Sequence, residues 1–101
     1  MQHNQLAIDG RLVELRSLRH TPAGIPVSEF RLEHESRQPE AGADREVRCE
    51  LAAVAIGDLA RLVQGAKLGD AMRATGFLAN RGKSARQLVL HVTNIEFLEG
   101  K

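Results

Sequence analysis

The chain has 101 residues, of which 43% are hydrophobic and 27% charged, values of an ordinary folded domain rather than of a disordered or membrane-embedded chain. This length predicts one domain over residues 1–101 and leaves no room for a two-domain enzyme. Fourteen Lys and Arg against 13 Asp and Glu give a formal charge of +1, so a site for a polyanion has to be a local feature.

A single cysteine, Cys49, excludes an intramolecular disulfide and a set of cysteine ligands for zinc, and it points to a reducing cytoplasm. No apolar run approaches the roughly 20 residues of a membrane span. The opening Met1-Gln2-His3-Asn4-Gln5 carries neither the basic region nor the apolar stretch of a signal peptide. The expectation is a cytoplasmic protein with no membrane partner. Phe30, Phe77 and Phe97 are the only aromatic residues among Phe, Trp and Tyr, which limits any mechanism built on base stacking.

In chain order, Leu6 and Ile8 alternate, Gly10 intervenes, and Leu12, Val13, Leu15 and Leu18 follow. This predicts a long first strand from Gln5 to Leu18 with a bulge or bend at the glycine. Thr21-Pro22-Ala23-Gly24-Ile25-Pro26 has the composition of a turn that returns the chain as a hairpin. Val27, Phe30, Leu32 and His34 then form one side of a second strand, with Arg31, Glu33 and Glu35 on the other. Ser36 to Asp44 has no period and reads as a loop, and Val47, Cys49 and Leu51 alternate as a third strand.

The pattern changes at Ala52. Ile56, Leu59, Ala60 and Val63 stand at helical spacing, with Gly65 where a helix would stop. From Asp70, alternation through Met72, Ala74, Gly76 and Leu78 predicts a fourth strand; residues 80–86 form a basic loop, and Leu88 to Leu98 a fifth strand. Three strands, a helix and two strands predict an all-β OB-fold, a five-stranded Greek-key barrel with one short helix between strands three and four.

Thr21-Pro22-Ala23-Gly24-Ile25-Pro26, followed by Phe30-Arg31-Leu32-Glu33-His34-Glu35-Ser36, resembles the primosomal replication protein N (PriB) family, relatives of bacterial single-strand DNA-binding proteins. Leu68-Gly69-Asp70 leading to Thr75-Gly76-Phe77-Leu78, and Leu88-Val89-Leu90-His91 with Asn94-Ile95-Glu96, extend the resemblance from about Leu6 to Leu98. The resemblance implies a homodimeric, non-catalytic protein that binds single-stranded DNA in replication restart. It also implies that the protein stimulates the primosomal helicase PriA. Single-strand DNA-binding protein and helicase-loading proteins follow as additional partners.

An OB-fold places such a site across strands two and three and on the loops joining strands one to two and four to five. Arg16, Arg19 and His20 lead into the first loop, Arg48 lies on strand three, and Arg81, Lys83 and Arg86 crowd the second loop without a carboxylate among them. With Phe77, these are the candidate DNA-binding residues. The competing readings are a solvated hairpin tip for the loop cations and a core position for Phe77, since small barrels need bulky filling. Phe30 and Phe97 read as core. Arg48 stands where other members of the family carry an aromatic, and Glu35 where some carry a basic residue, which implies weaker binding. The basic loop is about two residues shorter than the family's, so its three cations match as a group.

His3, His20, His34 and His91 lack ligand spacing and predict no metal site, with His34 and His91 making strand hydrogen bonds. Cys49 shares a face with Val47 and Leu51, which predicts a buried, inert thiol. No glycine-rich phosphate loop, nucleophile elbow or paired-acid constellation is present, so neither a cofactor nor an enzymatic activity is expected. Between Glu29 and Glu50, seven carboxylates face four arginines, a local charge of −3. That stretch suits either a basic protein partner or a solvated surface. The rival to a DNA-binding role is a protein-interaction adaptor of the same fold with marginal DNA contact. An RNA-binding OB protein is a third reading, because phosphate tracks alone do not separate RNA from DNA.

Overall fold

Period-two alternation builds the barrel from strands that each turn one apolar face inward. The computed structural model describes residues 2–83 and 86–98. Its elements are β1 (Leu6–Leu15), β2 (Arg19–His20), β3 (Pro26–Glu40), β4 (Ala43–Ile56), α1 (Asp58–Gln64), β5 (Ala71–Asn80) and β6 (Leu88–Phe97). The pairing runs β1–β5–β6–β4–β3, and β1 also pairs with β3, which closes a ring of five strands; β2 extends the β3 edge. All pairings are antiparallel except that of β4 with β6, whose parallel register sets Ala53, Val54 and Ala55 against Leu90, His91 and Val92. This is the expected OB-fold, with α1 between the third and fourth barrel strands.

Leu12, Phe30, Leu32, Met72 and Leu90 fill the interior, each buried side chain contributing about 2 kcal/mol. Ala60 and Val63 turn the inner face of α1 onto one end of the barrel. Ser28, the one buried polar residue of the described core, donates its hydroxyl to the Ala60 carbonyl at 2.7 Å. Gln64 donates to Ser28 Oγ at 3.0 Å and to the Arg16 carbonyl at 2.8 Å, so the helix also holds the chain leaving β1.

Several boundaries differ from the sequence-based expectation. The bulge expected at Gly10 lies between Leu12 and Glu14. Gly10 instead sits where β1 crosses β3, and a Cβ there would stand 3.0 Å from the Glu33 carbonyl oxygen. The first strand ends at Leu15, and Arg19 and His20 pair separately with Val27 and Pro26. Ser36 to Asp44 is not a loop: β3 and β4 continue as a two-stranded arm, joined by Ala41 and Gly42 at φ 53° and 86°. Two positive φ values match the right-handed twist of a tight hairpin. The arm hid its strands because both its faces meet solvent, so no apolar period marked them.

The same geometry exposes Cys49, against the expectation of a buried thiol; on the arm no second layer covers the Val47 and Cys49 face. Ala52 to Ile56 belong to β4, and the helix begins only at Asp58, leaving Ile56 half exposed at 50%. Phe30 is buried as expected, whereas Phe77 and Phe97 are each 41% exposed. His34 donates through Nδ1 to the Asp9 carbonyl at 2.6 Å, and its Nε2 shares a hydrogen bond with Ser36 Oγ at 2.7 Å. Among the described residues, no helix is long and apolar enough to cross a membrane.

Candidate nucleic-acid interface

Alternation that sends Phe30 and Leu32 inward sends Glu29 and Arg31 to the outer face of β3, and with them Val27, which stands an odd number of residues from Phe30 and so not on its side as expected. Beside them on β4 lie Ala52, Val54 and Ile56, and on β6 Val89 and His91. Cross-strand register aligns Glu29, Val54, His91 and Phe77 in one row over β3, β4, β6 and β5. Phe77 and His91 stack with ring centroids 5.2 Å apart and planes 6° from parallel.

Two loops raise walls beside this floor and enclose a groove of about 320 Å³. Arg16, Arg19 and Thr21 form one wall and Asn80, Arg81 and Gly82 the other. The first wall is held by its backbone: Arg16 N–H donates to the Glu29 carbonyl at 3.0 Å, and Thr21 N–H to the Ile25 carbonyl at 2.9 Å. Arg81 N–H donates to the Gln87 carbonyl at 2.9 Å and closes the base of the second.

Electrostatically the groove centres on Glu29. Its Oε2 accepts from Arg19 at 2.8 Å and its Oε1 from Arg81 at 2.5 Å. The Arg19 hydrogen bond first, then the charges of Arg81, Arg19 and Arg16, hold the Glu29 carboxyl below its ordinary value against the opposing effect of burial.

The structure therefore brings Arg16, Arg19 and Arg81 together and sets Phe77 at the end of the floor. His20 is exposed on β2 beside this wall. Lys83 and Arg86 are exposed beyond Gly82, and among the described residues no carboxylate pairs with either; Ser84 and Ala85, between them, lie outside the described residues. Arg48 is not brought to the groove. It lies on the arm, 2.7 Å from Glu35. Sequence reasoning missed Glu29, Arg31, Val54 and His91. The outward period of β3 carries a signal for the first two, but nothing local shows that a carboxylate would meet arginines 10 and 52 residues away.

Residues 4–94 match a family described as another single-strand binding protein family. The chain is 41% identical over 97 residues to the replication restart protein PriB of Bordetella pertussis, an alignment covering 96% of this chain and 91% of that one. The chain belongs to the replication restart protein PriB family. The relative from Nitrosomonas europaea is 38% identical over 98 residues, covering 97% of this chain and 91% of its own. A solved PriB structure from Ralstonia solanacearum superposes with a TM-score of 0.88 at 28% identity, covering 97% of this chain and all of that one. Family and fold thus agree, and the groove lies on a barrel of the PriB kind.

Proposed function

We propose that this protein is a single-stranded DNA-binding accessory of the replication-restart primosome, laying a strand across the groove and stimulating the primosomal helicase PriA. The observation that carries the reading is the convergence of Arg16, Arg19 and Arg81 from two loops over an apolar floor that ends in the Phe77–His91 stack. Arginines suit phosphates, and flat side chains suit unpaired bases. In this reading residues 1–101 form one OB-fold domain that works as a cytoplasmic homodimer, without catalysis or cofactor. Lys83, Arg86 and His20 widen the phosphate track. Single-strand DNA-binding protein and helicase loaders are additional partners.

The test is fluorescence anisotropy of a labelled single strand of about 36 nucleotides at several salt concentrations. Phosphate contacts by three to five cations predict a log-affinity slope against log-salt of about −2 to −3.5. Changing Arg81, Lys83 and Arg86 together to Ala should flatten that slope. Absence of binding at low salt would overturn the DNA reading. The pairing of Arg19 and Arg81 with Glu29, and of Arg48 with Glu35, favours the adaptor as a second reading. An adaptor would keep its affinity for PriA through the triple change and show no strand binding.

A further inference from the structure

Among the described ion pairs, Glu29 is the one carboxylate shared by two arginines, and both its oxygens are engaged. Arg19 and Arg81 come from opposite walls of the groove, and each reaches down to the same residue on the floor. The walls do not need this carboxylate for their placement, because backbone hydrogen bonds of Arg16, Thr21 and Arg81 and the Gln64 side chain already hold them. Glu29 is also less exposed, at 23%, than Arg19 at 57% or Arg81 at 44%. The carboxylate is therefore set deep between two solvent-facing guanidinium groups, where a planar two-oxygen anion is held as a phosphate would be.

We propose that Glu29 is an internal competitor for the strand's phosphates: its carboxylate occupies Arg19 and Arg81 in the free protein and must be displaced when a strand enters the groove. The proposal rests on the single-stranded DNA reading and adds to it the residue that sets affinity and salt dependence. Displacement leaves a negative charge facing the incoming backbone, so the native groove acts with one effective cation fewer than its arginines provide. Removing that charge without changing shape should restore it.

The experiment compares the native protein with Glu29→Gln and Glu29→Asp, by anisotropy with labelled oligothymidine from roughly 50 to 400 mM salt, a range over which such contacts are screened. Oligothymidine has no exocyclic amine, so loss of a carboxylate contact to such a group cannot mask the result. Glu29→Gln is expected to bind about fourfold more tightly at the lowest salt, with a slope steeper by about 0.7, and to converge with the native protein at high salt. Glu29→Asp keeps the charge and should keep the native slope. Thermal melts of all three report whether the variants fold.

Equal affinity and slope for native and Glu29→Gln would overturn the proposal while leaving strand binding intact. Weaker binding by Glu29→Gln, with an unchanged melt, would also overturn it, because Glu29 would then be orienting the arginines for the strand. If no form binds, the single-stranded DNA reading falls, and this proposal falls with it.

Discussion

The groove and the β3–β4 arm are both rich in arginine and carboxylate, yet they arrange the charges differently. On the arm the pairing is local: Arg48 meets Glu35, Arg37 meets Glu46 and Arg45 meets Glu40, at 2.7, 3.7 and 2.8 Å. Each cation has its own neighbour, two of the three directly across the ladder at Glu35–Arg48 and Arg37–Glu46. In the groove, arginines from two separate loops converge on one carboxylate set in a floor that is otherwise mostly apolar. A one-to-one ribbon presents little net field, whereas a convergent cluster retains excess positive charge that a phosphate can use.

Breaking the groove's floor has the largest expected effect. A Cβ at Gly76 would collide with the His91 carbonyl, beneath the Phe77–His91 stack. Gly76→Ala should destabilise the protein by about 3 kcal/mol and lower its melting temperature by about 12 °C or more, measured by thermal denaturation. Separating the two regions comes next. Arg19→Ala with Arg81→Ala should flatten the salt slope by about 1.4, while Arg37→Ala with Arg48→Ala on the arm should leave it unchanged; anisotropy at several salt concentrations reads both. The smallest effect concerns the arm alone. A double-mutant cycle over Glu35 and Arg48, both more than half exposed, should give a coupling of about 0.5 kcal/mol or less that fades at high salt.

Alternation makes the barrel strands legible, because each buries one face and leaves the other in water. Leu12, Phe30, Leu32, Met72 and Leu90 can be assigned to the interior from period alone, and all are buried. The same rule fails for Cys49, whose position in the alternation matches Leu51 but whose strand has already left the barrel there. Phe77 illustrates the converse. Size argues for the core, but its place in the outward set of β5 with Thr75 and Arg73 puts it on the surface. Of the candidate site, the loop arginines are visible in the sequence as a cluster of cations, while Arg48, grouped with them for its place on the third strand, lies on the arm against Glu35.

By itself, the sequence determined the order of the barrel elements, the single helix and the placement of basic residues in two loops, since all of these follow from local period and composition. The tertiary structure decided which charges meet. Glu29 and Arg81 are 52 residues apart, and only closure of the barrel brings the Arg81 loop over the β3 floor that carries Glu29. Ion pairing depends on distance in space, and no local pattern carries that information across so long a separation.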